Sequence, residues 1–209
     1  MSGTTVVVRY GLGNIGSVLN MFQKIGASAV ASDDPAELLD ATRIVLPGVG
    51  AFDHGMKKLR ESGVIPVLEQ VRARGVPILG ICLGMQLMTR GSEEGSSAGL
   101  GWFSATTRRL PQGADGQLRL PHMGWNEIQV ERNHPLFVDL PTGSRFYFLH
   151  TYHVVPENPA SVLATTIYGG LFCTAYAYGS VMGVQFHPER SHRFGMQLFR
   201  NFVQTDRPS

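Results

Sequence analysis

The first half of the chain alternates between short apolar runs and segments with helical periodicity. Residues 5–8 form a β-branched run typical of a buried strand, and apolar residues within 14–26 recur at the spacing of an amphipathic helix. Asp34 followed by Pro35 marks the start of a second helix. The same criteria predict strands at 27–31, 43–46 and 76–79, and helices at 34–39, 51–74 and 82–90. This strand–helix alternation predicts a parallel sheet with helices on both faces.

The second half has a different pattern. Strand-like runs alternate there with turns rich in Gly, Pro and Asn, and these runs are 100–106, 126–130, 146–150, 162–166, 172–178 and 181–186. Residues 191–202 end the pattern as an amphipathic helix, and 91–99 and 111–117 are predicted loops. We therefore expect a single domain over 1–209, with an open, mostly parallel, doubly wound α/β sheet and an antiparallel insertion in its C-terminal half.

The composition narrows the classes of protein without selecting one. Of 209 residues, 43% are hydrophobic and 16% are charged, which is typical of a globular chain. The net charge is only +2 and no basic run occurs, so we expect no nucleic-acid partner. No apolar stretch approaches the ~18 residues of a membrane span, and the first residues lack a leader pattern. We expect a cytoplasmic protein, and its two cysteines are too few for a disulfide framework.

A glycine-rich turn follows the first strand and opens the first helix. Gly11, Gly13 and Gly16 satisfy the G-x-G-x-x-G spacing, and Asp33 and Asp34 follow about 20 residues later. This pattern in this position is typical of a dinucleotide-binding turn. Glycines also serve any doubly wound fold, because the first turn must be tight. A nucleotide-binding module is therefore one hypothesis.

A second pair of glycines flanks a cysteine. Gly80 and Gly84 bracket Cys82 directly after the predicted strand 76–79, in the order glycine, any residue, nucleophile, any residue, glycine. Such an elbow exposes its central side chain above the sheet, and a helix N-terminus favours the thiolate. The N–H of Leu83 is free to donate to an oxyanion. Cys82 is therefore the predicted nucleophile.

A thiol nucleophile needs a base, and His187 is the best candidate among seven histidines. It ends the predicted strand 181–186 and is followed by Pro188 and Glu189. Residues two apart on an extended chain point to the same side, so Glu189 is expected to reach and orient the His187 ring. The sequence thus favours a Cys–His–Glu triad.

Two weaker features complete the candidate chemistry. Residues 47–50 (Pro-Gly-Val-Gly) follow the third strand, at the sheet edge where Cys82 is expected. Their two glycines would allow a peptide N–H at Val49 or Gly50 to turn toward a substrate carbonyl, as a second oxyanion donor. Cys173 lies within an apolar run and is interpreted as a small buried hydrophobic residue.

Together these motifs resemble the class I, or triad, glutamine amidotransferases, through residues 80–86 and the Phe-His-Pro-Glu run at 186–189. A closer similarity is to the glutaminase subunits of imidazole glycerol phosphate synthases. It rests on runs spread in order along the chain, namely 10–14, 46–52, 92–95, 121–126 and 186–191. The Pro-His-Met-Gly-Trp-Asn run at 121–126 is the most specific of these. The resemblance implies a flavodoxin-like sheet.

The resemblance also implies roles for single residues. Cys82 would attack the side-chain amide of glutamine, His187 would move protons and Glu189 would orient His187. The N–H of Leu83 and, after a peptide rearrangement, that of Val49 would hold the oxyanion. The residues matched to glutamine binding are Gln86, Glu94, Gly48, Thr151 and Tyr152, and those matched to the partner face are Asn14, Trp125 and Asn126.

The partner that the resemblance implies is a (βα)8-barrel cyclase subunit, which receives the ammonia released from L-glutamine. It implies no cofactor and no metal ion. The chain departs from the family pattern at Arg9, Gly16 and His192, where the family has Asp, a basic residue and Gly. Three alternatives are a subunit supplying ammonia to a sugar-modifying synthase, a stand-alone cysteine-dependent γ-glutamyl hydrolase, and a dinucleotide-binding module that uses residues 11–16.

Overall fold

A computed structural model of the chain describes residues 3–111 and 118–205, so most of the loop predicted at 111–117 lies outside the described residues. The strands are β1 (Thr5–Val8), β2 (Ala29–Ser32), β3 (Arg43–Gly48), β4 (Ile78–Cys82), β5 (Ala105–Arg109), β6 (His122–Glu127), β7 (Gln129–Val130), β8 (Arg145–His150), β9 (Tyr152–Pro156), β10 (Val162–Ile167), β11 (Leu171–Tyr178) and β12 (Val181–Val184). The helices are α1 (Ile15–Lys24), α2 (Pro35–Asp40), α3 (Phe52–Glu61), α4 (Ile65–Ala73), α5 (Leu83–Leu87) and α6 (His192–Gln204). Among the described residues, no helix has the length and apolar character needed to cross a membrane.

Eight strands form one sheet in the order β2-β1-β3-β4-β12-β11-β10-β7. The first five strands of this order are mutually parallel, and β11, β10 and β7 continue the sheet with antiparallel pairs. The predicted mostly parallel sheet with antiparallel strands from the C-terminal half is therefore confirmed. The last strand, β12, returns to the parallel part and pairs with β4, which brings the C-terminal half beside the predicted elbow.

The alternation of side chains along the parallel strands produces two cores. Val6 and Val8 of β1 belong to the cluster beneath α2, α3, α4 and α5, whereas Val7 belongs to the cluster beneath α1 and α6. Ile44 and Val45 of β3 divide in the same way. Because successive side chains of a strand point to opposite faces, a continuously apolar strand is buried on both. This explains why these strands lack a polar face in the sequence.

Several predicted boundaries were wrong by a few residues. The strand predicted at 76–79 is Ile78–Cys82, so Cys82 is the last residue of β4, and the helix predicted at 82–90 is the shorter Leu83–Leu87. The helix-rich segment 51–74 is divided into α3 and α4. Asp34 caps α2 as predicted, since its side chain accepts a hydrogen bond from the N–H of Ala36 at 2.8 Å.

Two small sheets cover the carboxyl edge of the large one. β5 pairs with β9, and β6 pairs with β8, both antiparallel. The strand predicted at 100–106 is the later segment Ala105–Arg109, and β9 was not predicted at all. Through these sheets Pro121 and residues 149–152 reach the end of β4, where Cys82 lies.

Candidate active site

A pocket of about 220 Å³ opens where β3 and β4 end, since Gly48 and Cys82 are paired there in the parallel register. In open α/β sheets this carboxyl edge is the usual place for ligands. The pocket is lined by Val49, Gly50, Cys82, Leu83, Gln86, Glu94, Pro121, Leu149, His150, Thr151, Tyr152 and His187. It therefore brings together most of the residues that the sequence singled out, from six separate segments of the chain.

The backbone at Cys82 is strained in the way that a nucleophile elbow requires. Cys82 has φ 52° and ψ −109°, which non-glycine residues rarely adopt. A Cβ atom at Gly80 would lie 2.7 Å from the N of Met85, and one at Gly84 would overlap the carbonyl oxygen of Leu46. Only glycine fits either position, so the flanking glycines allow the tight turn that presents the thiol.

The Cys82 thiol is almost buried, with 6% of the residue exposed, and it is not part of a disulfide. The side-chain amide of Gln185 donates to its sulfur at 3.7 Å, and the sulfur lies 3.8 Å from the carbonyl oxygen of Leu149. Leu83 begins α5, so its N–H precedes the first intrahelical hydrogen bond. The Cys82 sulfur therefore lies beside one hydrogen-bond donor, the Gln185 amide, and Cys82 directly precedes helix α5.

His187 and Glu189 form a buried pair beside Cys82. Their side chains are 4% and 3% exposed, and Nδ1 of His187 lies 2.8 Å from Oε1 of Glu189. Because a carboxylate only accepts, Nδ1 carries the proton. The prediction of an extended chain here was wrong, since Pro188–Arg190 is a short 3-10 helix, and Glu189 reaches back across that turn.

Electrostatics favour the charged form of His187. Burial alone would lower the pKa of this imidazole, but negative charge on Cys82 and the Glu189 carboxylate outweigh burial and raise it. Nε2 of His187 has no hydrogen-bond partner among the described residues. The arrangement places a cysteine beside an imidazole that a carboxylate orients, as nucleophilic catalysis by a thiol requires.

The candidate glutamine-binding residues divide into two groups. Gln86, Glu94, Thr151 and Tyr152 line the pocket, whereas Gly48 lies beneath it. A Cβ atom at Gly48 would approach the N of Gly84 to 2.7 Å, so this glycine allows β3 to pack against α5.

Two of the lining side chains are already fixed by hydrogen bonds. Gln86 donates to the carbonyl of Tyr152 at 2.9 Å and to Oε1 of Gln185 at 3.1 Å. Glu94 accepts from the N–H of Phe52 at 2.8 Å. Their polar atoms are therefore held at defined positions on the pocket wall.

The glycine-rich turn supports the segment that carries Val49 and Gly50. The hydroxyl of Tyr10 donates to the carbonyl of Pro47 at 2.6 Å, and a Cβ atom at Gly13 would lie 2.8 Å from Cβ of Pro47. Gly13 has φ 95° and Gly50 has φ 107°, so both positions favour glycine. These contacts give the turn a packing role next to the pocket.

The acidic residue that a dinucleotide-binding turn would use is engaged elsewhere. Arg9, at the end of β1, donates to Oδ1 of Asp33 at 2.7 Å and 3.0 Å. This hydrogen bond lowers the pKa of Asp33. Arg9, which stands where the family has Asp, thus forms an exposed ion pair with Asp33 at the same edge of the sheet as the pocket.

The candidate partner-face residues lie outside the pocket. Trp125 is 39% exposed and stacks on His192, with ring centroids 5.3 Å apart. His192 has φ 43°, a conformation that favours glycine, so the departure at this position places a ring against Trp125 at some backbone cost. Asn14 is exposed at the start of α1, and Asn126 is half-buried.

Four residues around Cys82 were not predicted from the sequence. These are Gln185, Leu149, His150 and Tyr10. Tyr10 belongs to a run that the family resemblance had already marked, and Gln185 is two residues before His187. Leu149 and His150 reach the pocket only through pairing of β8 with β6, which no local pattern specifies.

Comparison with known proteins identifies the family to which the chain is similar. The family model described as glutamine amidotransferase class-I matches residues 6–205. The chain is 48% identical over 200 residues to imidazole glycerol phosphate synthase subunit HisH 2 of Pseudomonas aeruginosa, covering 95% of this chain and 98% of the relative. It is 42% identical over 197 residues to the subunit HisH of Moorella thermoacetica, covering 94% and 92%.

Solved structures resemble the fold at lower identity. A glutamine amidotransferase from Thermotoga maritima has a TM-score of 0.68 at 17% identity, covering 98% of this chain and 100% of that chain. PurLQS from the same organism gives a TM-score of 0.71 at 20% identity, covering 97% and 98%. These likenesses concern the fold alone.

Proposed function

The chain belongs to the class I glutamine amidotransferase family, and on that premise we propose that it is the glutaminase subunit of an imidazole glycerol phosphate synthase. Cys82, on its strained elbow beside the buried His187–Glu189 pair, is the observation that carries the proposal. The relatives that bear this subunit's name cover nearly the whole chain at 42% identity or more.

The first half-reaction breaks the amide. The sulfur of Cys82 attacks the side-chain carbonyl carbon of glutamine, and a C–S bond forms as the carbonyl oxygen becomes an oxyanion. His187 passes its Nε2 proton to the amide nitrogen, the C–N bond breaks, and ammonia leaves. A γ-glutamyl thioester remains on Cys82, and Glu189 keeps the imidazole oriented throughout.

The second half-reaction restores the thiol. Neutral His187 takes one proton from water as the water attacks the thioester carbon and the C–S bond breaks; the new carboxyl group releases the other proton to solvent, and glutamate leaves. The proton returns to the Cys82–His187 pair. One difficult amide hydrolysis is thus divided into two easier steps.

The oxyanion formed in the first half-reaction needs hydrogen-bond donors. We assign the N–H of Leu83 as one donor and that of Val49 or Gly50, after a rearrangement of this peptide, as the second. One such donor contributes about 3 kcal/mol in a comparable acyl transfer. A segment in the unproductive orientation would therefore hold turnover low until a partner turns it.

Recognition of glutamine is assigned to the pocket wall. The Glu94 carboxylate suits the α-ammonium group, and Gln86, Thr151 and Tyr152 supply polar atoms to the remainder of the substrate. Gly48 contributes by letting β3 approach α5. No cofactor or metal ion takes part in this scheme.

A partner subunit is proposed to cover the rim of the pocket. Val49 and Leu149 line the pocket and are 41% and 37% exposed, and Met123, paired with Leu149 across β6 and β8, is 66% exposed. With Trp125 these residues form an apolar rim of the kind that marks an interaction site. We assign this rim, with Asn14 and Asn126, to a (βα)8-barrel cyclase that receives the ammonia in the cytoplasm.

Co-expression with a barrel cyclase tests this function. The complex should form imidazole glycerol phosphate with either glutamine or added ammonia, and Cys82→Ser should abolish only the glutamine-dependent reaction. Loss of both reactions would show that Cys82 is structural. Glutamine turnover should rise when the partner binds, whereas equal turnover by the chain alone would favour a stand-alone hydrolase.

The departures at Arg9 and His192 favour one second candidate. His192 stacks on Trp125 of the proposed partner face, and Arg9 follows β1 at the same edge of the sheet as the pocket, so an altered surface there would suit a different synthase. If the chain binds no barrel cyclase but supplies ammonia to a sugar-modifying synthase, the acceptor in the proposal is wrong while its glutaminase chemistry stands.

A further inference from the structure

A chain of buried polar groups connects the partner-face residue Asn126 with the glutamine pocket. The amide nitrogen of Asn126 lies 3.2 Å from Nε2 of His122, and Nδ1 of His122 lies 3.0 Å from Nε2 of His150. Nδ1 of His150 lies 2.9 Å from the carbonyl oxygen of Tyr152. His122 and His150 are only 3% and 6% exposed, so the two rings are shielded from water, while Asn126 is half-buried at the outer end.

The direction of every bond in this chain is fixed. A carbonyl oxygen only accepts, so Nδ1 of His150 donates to Tyr152 and its Nε2 must accept when the ring is neutral. His122 therefore donates through Nδ1 and accepts at Nε2. Asn126 is oriented independently, because its amide nitrogen donates to the carbonyl of Ile167 at 3.1 Å and its oxygen accepts from the N–H of Glu127 at 2.8 Å.

The Tyr152 carbonyl also accepts a hydrogen bond from one of the two glutamine side chains that connect it with Cys82. Gln86 donates to the Tyr152 carbonyl at 2.9 Å and to Oε1 of Gln185 at 3.1 Å. Gln185 in turn donates to the Cys82 sulfur at 3.7 Å. An unbroken hydrogen-bonded path thus runs from Asn126 to the thiol by way of the pocket wall.

The ring of His122 cannot rotate freely. It stacks on Phe148 with centroids 4.6 Å apart and on Tyr168 with centroids 3.9 Å apart. Tyr168 is held by a 2.6 Å hydrogen bond from its hydroxyl to the carbonyl of Arg119. Burial lowers the pKa of His122 to about 4 and that of His150 to about 3, which agrees with two neutral rings.

We propose that His122 and His150 are positioning residues, which transmit the position of Asn126 to the Tyr152 carbonyl and Gln86 and so set the shape of the glutamine site. This inference rests on the proposed function. Neither ring touches the reacting atoms in the scheme above, and the stacking of His122 on Phe148 and Tyr168 does not itself require an imidazole. What the imidazoles add is a one-way chain of bonds that breaks if any member is removed.

Covalent labelling of Cys82 by a glutamine-like diazo-ketone, in the full chain, separates binding of the probe from its reaction. His122→Phe keeps the stacked ring and removes both bonds, and Asn126→Ala removes the first donor. Each should weaken binding of the probe, as KI, by roughly fivefold, while the limiting rate of labelling changes less than about twofold.

A double-mutant cycle measures the coupling between His122 and Asn126 in their effect on KI, and a purely structural role for His122 predicts no coupling. Asn126→Ala should add little to His122→Phe, because both break one path. The matched control is Met123→Ala, which lies between them in β6 with its side chain on the exposed face and should combine with His122→Phe additively. His122→Asn, whose amide nitrogen replaces Nδ1, should recover part of the binding.

The outcomes are distinguishable. Additive effects of Asn126→Ala and His122→Phe, or an unchanged KI in folded variants, would overturn the inference. If His122→Phe fails to fold, His122→Asn and Asn126→Ala decide by the same cycle. A wild-type chain that the probe does not label at Cys82 would instead count against the proposed function itself.

Discussion

The end of β4 and the middle of β11 each carry one cysteine, and the two differ in almost everything except burial. Cys82 and Cys173 are 6% and 7% exposed. Cys173 lies in a regular strand, donates to the carbonyl of Ala175 at 3.4 Å, and has its pKa raised by burial to about 12. Cys82 lies at a strained strand end with Gln185 and His187 beside it.

The difference shows that burial alone does not decide whether a thiol reacts. Burial raises the pKa of Cys173, whereas only the thiol at the end of β4 has an imidazole–carboxylate pair and a helix start beside it. Unpaired N–H groups are available at the end of β4 because the chain turns there into the first turn of a helix. The interior of a strand pairs its N–H groups with neighbouring strands and has none to offer.

Replacing each cysteine by alanine gives the largest expected contrast. Cys82→Ala should lower glutamine hydrolysis by as much as about 10⁶-fold, as loss of a nucleophile does in another triad. Cys173→Ala should keep its activity and lose about 1 kcal/mol of unfolding free energy through lost packing. Steady-state assays and chemical denaturation measure the two. Equal losses of activity would remove the distinction between the two regions.

Glu189→Gln tests whether the Glu189 carboxylate contributes to the difference in reactivity between Cys82 and Cys173. The amide cannot stabilise the imidazolium and permits the wrong tautomer, so kcat should fall by on the order of 10⁴-fold while glutamine binding persists. Glutaminase kinetics on the assembled complex measure it. Wild-type kcat in this variant would mean that His187 needs no orienting group.

The pH dependence of alkylation sharpens the comparison further. Because burial raises the pKa of Cys173 to about 12, this thiol should stay unmodified by iodoacetamide up to about pH 9. Cys82 should be alkylated at neutral pH, and His187→Ala should slow that reaction, since the raised pKa of His187 keeps a positive charge beside the sulfur. Peptide mapping after timed quenching gives both rates. Faster modification of Cys173 would contradict this assignment.

The glycines of the elbow should matter far more than an unconstrained glycine. Gly84→Ala would force a Cβ atom into the Leu46 carbonyl, and we expect a loss of about 3 kcal/mol. Gly16→Ala, within α1 and with nothing within 4 Å of the new Cβ, should stabilise by about 0.5 kcal/mol. Denaturant titration measures the unfolding free energy of both variants. Tolerance of Gly84→Ala would mean that the elbow is not tight.

Local patterns in the sequence were enough for the parallel half of the fold. The apolar strands, the Asp34 cap and Gly80 each express a constraint that acts within a few residues, whereas Gly84 is required by Leu46 of the neighbouring strand β3. The boundaries of β4 and α5 shifted because the turn itself is helical only from Leu83 onward. The Glu189 contact arises from a 3-10 turn, although the sequence suggested an extended chain.

Long-range pairing explains what the sequence did not reveal. β9 pairs with the distant strand β5, and the polar chain depends on the pairing of β6 with β8, which brings His122 and His150, 28 residues apart, into contact. Periodicity cannot specify which strands pair or in what register. The same holds for Gln185, whose amide reaches Cys82 only because β12 lies beside β4.

Acid quenching during turnover of radiolabelled glutamine, followed by peptide mapping, tests the central claim most directly. We predict a γ-glutamyl thioester on the peptide that contains Cys82, absent in Cys82→Ser and discharged by hydroxylamine. Label on Cys173, or steady glutamine consumption with no labelled cysteine under conditions that trap a known thioester enzyme, would contradict it.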